Sequence, residues 1–148
     1  MAPWDSLNLG AHVEDAPAAV AENRRRIVEG LALPSAPLWL QQVHGAQVFD
    51  ADAPGADAPG VAAQLPADAA VTREPARVLA ILVADCLPVL FSSSDGEVIA
   101  AAHAGWRGLA AGVLEASIAA IGVPADKLCA WLGPAIGPRH FEVGAEVR

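Results

Sequence analysis

The chain has 148 residues, of which 54% are hydrophobic and 18% are charged, and its formal net charge is -8 at pH 7. This length can bury one core, and this composition excludes a disordered, highly charged polymer. The negative charge disfavours nucleic acid and acidic membrane surfaces as partners, and no apolar run approaches the roughly 20 residues needed to cross a membrane.

The first predicted element is a helix in an alanine-rich segment after Asp15, where apolar residues recur at helical spacing up to Leu31. Asp15 is the expected N-cap, because its carboxylate can accept a hydrogen bond from the first helical N–H groups. Gly30 or Pro34 is expected to end the helix.

Two short strand-like runs follow at residues 38–43 and 47–49, and His44 and Gly45 separate them. Residues 50–66 are rich in Pro, Gly and Asp, which predicts a surface loop. This part of the chain therefore presents a histidine between two strands.

The middle of the chain predicts further strands. The apolar run Val78–Val83 has strand length and predicts a strand that is buried on both faces. Two more strands are expected at Pro88–Phe91 and Val98–Ala102, joined by a turn at residues 95–96. The second of these strands leads directly into His103.

The last predicted elements are a helix over Leu109–Ile121 that stops at Gly122, and a buried strand over Leu128–Leu132. Strands outnumber helices and do not alternate with them regularly, which predicts an α+β fold with mixed β-sheets flanked by helices. We expect a single domain over residues 1–148. We expect it to be incomplete at both termini, because the chain begins in an apparent loop and ends inside an apparent helix start.

The chain has two cysteines, Cys86 and Cys129, and its first residues have neither the positive start nor the apolar run of a signal peptide. An acidic chain of this kind fits a reducing compartment, so we expect both cysteines to be thiols and the protein to be cytoplasmic. Cys129 lies in the predicted buried strand and receives no functional role.

Three segments deliver a ligand-type side chain from the end of a predicted strand: QQVHG with His44, ADCLPV with Cys86, and AAHAGWRG with His103. Strand ends hold side chains in fixed positions, as active sites require. Two interpretations are open on these residues alone. Two imidazoles and a thiolate hold Zn²⁺ with a fourth position open, or Cys86 is a nucleophile that His103 activates.

Two charged residues accompany these segments. Arg107 stands at the start of a predicted helix, where its guanidinium and the helix N–H groups suit a phosphate or another oxyanion. Asp85 directly precedes Cys86 and is a candidate to orient a histidine or to bind substrate.

Six segments in this order resemble the YfiH family, also called the polyphenol oxidoreductase or laccase-domain family: SLNLG, QQVHG, ADAAVT, ADCLPVLF, AAHAGWRG and GPAIGPRHFEVG. The resemblance covers nearly the whole chain, and HAGWRG with an upstream ADC is its most specific part. It implies an α/β/β/α-type layered fold related to bacterial toxin deamidases, which use a Cys–His pair.

The resemblance implies a zinc site held by His44, Cys86 and His103. Within it we expect Cys86 and His103 to be catalytic and Arg107 and Asp85 to bind substrate. Members of the family are described as purine nucleoside phosphorylases that also deaminate adenosine and cleave methylthioadenosine. We therefore expect a zinc-dependent enzyme that takes a purine nucleoside and phosphate.

Three alternatives accompany this expectation: a copper-dependent polyphenol oxidoreductase (laccase), a Cys–His hydrolase that edits peptidoglycan precursors, and an inactive metal-binding fragment. A complete multicopper apparatus is disfavoured, because electrons must pass between several coppers that many histidines hold. The chain has four histidines, and His12 and His140 lie outside the three-ligand set.

Overall fold

The computed structural model describes residues 6–56, 58 and 66–147. The chain forms two compact units. One comprises the chain up to Pro37 together with Ala76–Val78, and the other comprises Leu38–Pro75 and the chain from Leu79 onward. The single domain over residues 1–148 stays a prediction.

The first unit contains the helix α1, Pro17–Gly30. Its N-cap is Ala16 rather than the predicted Asp15, because Pro17 takes the first helical position, where its missing N–H is not needed. Asp15 instead accepts a hydrogen bond from the N–H of Ala16. The helix ends at Gly30, as predicted, and Val20 is its buried residue.

Where the structure describes it, the second unit has seven strands, β1 to β7, and two helices, α2 and α3. The strands span, in chain order, Leu38–Trp39, Val48–Asp50, Ala69–Thr72, Leu79–Ala80, Leu87–Ser93, Ile99–Ala104 and Leu128–Leu132. The helices span Trp106–Ala111 and Val113–Ile121, and short 3₁₀ turns occupy Ala125–Lys127 and Ala145–Val147. This content confirms the predicted α+β class.

Five strands form one mixed sheet in the order β2-β3-β6-β5-β7, and β1 pairs in parallel with β4 in a separate sheet. Strands β2 and β3 are parallel, whereas the β3–β6, β6–β5 and β5–β7 pairs are antiparallel. The starts of β2, β3 and β5 therefore lie at the same end of the sheet as the C-terminal end of β6. This shared end brings together segments that are far apart in sequence.

The two faces of the five-stranded sheet are covered differently. One face packs against α3, and the buried residues between them include Val71, Val89, Phe91, Val113 and Ile121. The other face carries a cluster around Phe49 and Ala70, against which apolar residues of β1 and β4 pack. Within this unit, a helix, a five-stranded sheet and a two-stranded sheet are thus stacked in that order.

Several predicted elements are confirmed. The strands expected at Pro88–Phe91 and Val98–Ala102 correspond to β5 and β6, and Gly96 turns between them at a φ of 78°. The helix end at Gly122 is also confirmed, with a φ of 73°. The predicted loop over residues 50–66 lies partly outside the described residues.

Three predicted elements are wrong in part. The run Val78–Val83 contributes only two half-buried strand residues, because its partner β1 is itself two residues long. The helix predicted over Leu109–Ile121 is divided by Gly112, whose φ of 87° suits glycine. Among the described residues, the strand Leu128–Leu132 has a pairing partner on one side only. It therefore lies at the sheet edge, and Cys129 is exposed rather than buried. In the described part of the chain, each helix is too short or too polar to span a membrane.

Candidate metal centre

Three side chains with metal-binding atoms meet at the shared end of the sheet. His44 lies between β1 and β2, Cys86 directly precedes β5, and His103 lies within β6. One ligand atom from each residue lies within 4.8 Å of the other two. The two imidazoles approach edge to face, with ring centroids 4.7 Å apart. The structure thus brings together the three residues that the sequence grouped as candidate ligands.

Strand register determines how closely Cys86 approaches the opposite strand. Because Leu87 pairs with Ala104, the next residues outward, Cys86 and Gly105, lie opposite each other. A Cβ atom at Gly105 would lie 2.8 Å from Sγ of Cys86 and 3.2 Å from Cδ2 of His44. Glycine therefore leaves the space that the thiol and the imidazole occupy.

A side-chain amide holds the loop that carries His44. The Gln42 amide donates a hydrogen bond to the carbonyl of Leu82 and accepts one from the N–H of Leu82, both at 2.8 Å. These two bonds take the place of one more strand pair beyond β1 and β4. The chain leading to Cys86 therefore runs beside the chain leading to His44.

A buried carboxylate that was not among the predicted site residues contacts both histidines. Asp68 directly precedes β3, and its side chain is fully buried. It accepts a hydrogen bond from Nδ1–H of His103 at 2.8 Å. It also accepts three from the backbone N–H groups of Val43, His44 and Gly45, at 3.1, 2.8 and 2.7 Å. Because Nδ1 is engaged, Nε2 of His103 keeps the lone pair that a metal needs.

The pKa of Asp68 results from opposing effects. Burial raises the pKa of this carboxyl, but the hydrogen bonds from His103 and from the three backbone N–H groups outweigh burial and lower it below its ordinary value. Asp68 is therefore ionised at neutral pH. One signal in the sequence could have identified it, namely an aspartate at the head of the apolar run ADAAVT. A carboxylate at the start of a buried strand needs partners, because it has lost water.

Both cysteines are free thiols, as predicted. Cys86 is half-buried, and its burial, followed by the negative charges of Asp85 and Asp68, raises the pKa of the thiol. The thiol is therefore protonated at neutral pH in the metal-free protein. Cys129 is exposed on β7 and lies outside the cluster.

The two predicted substrate-binding residues, Arg107 and Asp85, have exposed side chains. The guanidinium of Arg107 lies over the ring of Trp106, 4.4 Å from the ring centroid. This stacking suits a planar cation. The carboxylate that contacts a site histidine is Asp68, not Asp85. The substrate-binding roles of Arg107 and Asp85 stay predictions.

The remaining histidines, His12 and His140, are exposed and are not members of the cluster. Within residues 6–56, 58 and 66–147, His44, Cys86 and His103 are the one group of three or more ligand-type residues close enough to hold a metal. The described residues thus offer one three-ligand site.

The chain is similar to known proteins over its full length. Residues 1–148 match the family described as multi-copper polyphenol oxidoreductase laccase. The chain is 57% identical over 147 residues to purine nucleoside phosphorylase PA4543 of Pseudomonas aeruginosa, and 51% identical over 146 residues to purine nucleoside phosphorylase YfiH of Escherichia coli K12. Both alignments cover 99% of this chain but only 57% and 58% of those proteins. The chain therefore spans somewhat more than half the length of the curated relatives it matches.

Solved structures share the fold. The crystal structure of Neisseria meningitidis protein NMB0706 superposes with a TM-score of 0.82 at 45% identity, covering 96% of this chain and 55% of that one. The structure of YlmD from Geobacillus stearothermophilus gives a TM-score of 0.86 at 33% identity, covering 99% and 57%. These similarities confirm the resemblance drawn from the six sequence segments.

Proposed function

This chain belongs to the multi-copper polyphenol oxidoreductase laccase family, and on that premise we propose that it carries the metal centre of a zinc-dependent purine nucleoside phosphorylase. The observation that carries the proposal is the convergence of two imidazoles and one thiol within 4.8 Å. The name purine nucleoside phosphorylase on relatives that are 57% and 51% identical supports the choice of substrate. The reactants are a purine nucleoside and phosphate, and the proposal includes adenosine deamination and methylthioadenosine phosphorolysis.

The donor set fits zinc. Imidazole nitrogens and a cysteine sulfur are its usual ligands, and three protein ligands with an open fourth position are typical of catalytic zinc. Donor atoms around a tetrahedral zinc lie roughly 3.3–3.6 Å apart, so the observed spacing requires shifts of about 1 Å. The exposed side chain of His44 places one side of the cluster at the surface. When bound there, zinc supplies a Lewis acid with one open coordination position.

Two exposed side chains within four residues of a ligand in sequence are assigned to the substrate. Arg107 supplies the positive charge that a phosphate needs in a chain of net charge -8, and its stacking on Trp106 orients the guanidinium. Asp85, directly before Cys86, accepts a hydrogen bond from a hydroxyl or amino group of the nucleoside. We also propose a cytoplasmic location, which the two free thiols support.

The same three ligands also suit copper, because Cu²⁺ binds most nitrogen and sulfur sites more tightly than Zn²⁺. A single copper at this site is the basis of the alternative function, a polyphenol oxidoreductase. Electron transfer between several coppers would need more histidines, and His12 and His140 are not members of the cluster.

One observation favours a metal-independent alternative. Asp68 engages Nδ1 of His103, which leaves Nε2 free, and Cys86 belongs to the same 4.8 Å cluster. In Cys–His hydrolases, an acidic residue orients a histidine, and that histidine acts as the base that activates the cysteine nucleophile. Asp68, His103 and Cys86 would take these three roles in that order. Under this alternative the protein hydrolyses a bond in a peptidoglycan precursor, with no need for His44.

Elemental analysis of protein purified without added metal tests the metal site. We expect near-stoichiometric zinc in the wild type and in the control variant Cys129→Ser, and loss of zinc in Cys86→Ser. Zinc-loaded wild type is then expected to release the purine base from inosine only when phosphate is present, whereas its deamination of adenosine consumes water and needs no phosphate.

Each other result selects an alternative. Equal zinc in Cys86→Ser and wild type would overturn the three-ligand site, and copper in place of zinc would favour the oxidoreductase. Hydrolysis of a peptidoglycan precursor that survives both a chelator and His44→Ala would favour the Cys–His hydrolase. Stoichiometric zinc without nucleoside conversion would favour a metal-binding fragment.

A further inference from the structure

Both histidines of the site depend on one buried carboxylate. The Oδ1 atom of Asp68 accepts the backbone N–H of His44 and the Nδ1–H of His103, each at 2.8 Å. The Oδ2 atom accepts the backbone N–H groups of Val43 and Gly45 at 3.1 and 2.7 Å. A carboxylate with no exposed surface has exchanged its water for these four donors. Its removal therefore disturbs two of the three ligands together.

The three backbone donors are consecutive residues of the loop that carries His44. Successive N–H groups that converge on one point form an anion-binding concavity, and here the anion is Asp68. His44 itself has a φ of 61°, in the left-handed region that is unfavourable for a residue with a Cβ atom. The hydrogen bonds to Asp68 compensate for this strain, so the carboxylate keeps the loop in the conformation that directs His44 into the cluster.

The hydrogen bond between the His103 ring and Asp68 fixes both the tautomer and the orientation of that imidazole. A hydrogen bond from Nδ1–H selects one imidazole tautomer and places the lone pair on Nε2. The backbone adds to this, because the N–H of His103 donates to the carbonyl of Asp68 at 2.7 Å. Asp68 is thus joined to His103 by both its main chain and its side chain.

We propose that Asp68 is a positioning residue that preforms the metal site, setting the backbone of His44 and the tautomer and orientation of the His103 ring before any metal binds. The effect on metal affinity rests on the proposed function, whereas the effect on the two histidines does not. Partners of metal-ligating histidines typically change metal affinity by 10- to 100-fold when they are removed.

The test compares Asp68→Asn with Asp52→Asn. The amide at position 68 keeps the size of the side chain, but it has one oxygen and directs an N–H group at two of the four donors. Asp52 is a matched control, because its carboxylate also accepts hydrogen bonds from a hydroxyl and a backbone N–H, those of Thr72 and Arg73. These contacts lie at the opposite end of β3 from the site.

Two readouts are measured: the zinc dissociation constant, by competition with a chromogenic chelator, and the imidazole ¹⁵N shifts of metal-free protein. We expect the zinc dissociation constant to rise roughly 10- to 100-fold in Asp68→Asn and to stay at the wild-type value in Asp52→Asn. In metal-free wild type, His103 should be the Nδ1–H tautomer, with a slowly exchanging proton.

Either of two results would overturn the proposal: wild-type zinc affinity in a folded Asp68→Asn, or an Nε2–H tautomer of His103 in metal-free wild type. A wild type that binds no zinc would reject the proposed function, and the His103 spectrum alone would then decide the role of Asp68. The same spectrum decides it if Asp68→Asn does not fold.

Discussion

Cys86 and Gly105 lie opposite each other across β5 and β6 so closely that a Cβ atom at position 105 would lie 2.8 Å from the sulfur. The backbone of Gly105 is extended, with a φ of -69° and a ψ of 164°, which any residue can adopt. The glycine is therefore required by the space for the thiol and not by the backbone conformation.

Gly105→Ala should consequently damage the site more than the fold. We expect the added methyl group to displace Cys86 and His44 and to weaken zinc binding roughly 10-fold or more, because ligand positions tolerate errors of only about 0.5 Å. Isothermal titration of metal-free protein with zinc measures this. Gly137→Ala is the control, because a Cβ there meets nothing within 4 Å. Equal zinc affinities for the two variants would contradict the prediction.

Arg107→Ala should impair phosphate use without affecting the metal. A hydrogen bond to a charged group contributes about 1.5–3 kcal/mol, so the KM for phosphate should rise at least about 10-fold. Steady-state phosphorolysis at varied phosphate measures KM, and zinc content should stay at the wild-type value. Arg139→Ala, which removes another exposed arginine, is the control. A KM change of the same size in Arg139→Ala would mean that general charge, not Arg107, is responsible.

Neighbouring residues on β5 should differ sharply in their effect on stability. Phe91 faces α3 and is buried, so Phe91→Ala should lower the free energy of unfolding by about 3–5 kcal/mol. Leu90 lies on the opposite face and is 45% exposed, so Leu90→Ala should cost less than about 1 kcal/mol. Urea denaturation of both variants measures the difference. Similar losses of unfolding free energy in the two variants would contradict the difference in burial between the two faces of β5.

The turn after β5 should stabilise the protein in a pH-dependent way. Hydrogen bonds from the Ser93 hydroxyl and the Glu97 N–H hold the pKa of Asp95 below its ordinary value. Because the folded-state pKa is lowered, this stabilisation is fully present above the ordinary pKa of the group and is lost as the pH falls through the lowered one. Asp95→Ala should therefore lower the Tm at pH 7.

The Tm difference between wild type and Asp95→Ala should shrink steadily as the pH is lowered below 4. Glu97→Ala serves as the control, because it removes a neighbouring exposed carboxylate and leaves the backbone N–H in place. A Tm difference for Asp95→Ala that is independent of pH would argue against the lowered pKa as its cause.

Some elements of the fold could be predicted from local pattern and others could not. The strand at β5 and the helix end at Gly122 depend on residues that are adjacent in sequence, and both predictions are confirmed. Leu128–Leu132 has an apolar sequence but becomes an exposed edge strand, because β5 pairs with it on one side and, in the described residues, no strand pairs with it on the other. An apolar run cannot show how many neighbours a strand will have.

The chemistry of the candidate site follows from local sequence, because the donor atoms of His44, Cys86 and His103 are properties of single residues next to short strands. The convergence of these atoms depends on the fold, since the shared sheet end arises from strand pairing between distant segments. The fold also reveals the role of Asp68. Its four hydrogen bonds form only because β3 lies beside β6 and because the loop that carries His44 closes onto the carboxylate. Hydrogen bonds across a sheet follow from register, and register is a relation between segments that no local pattern contains.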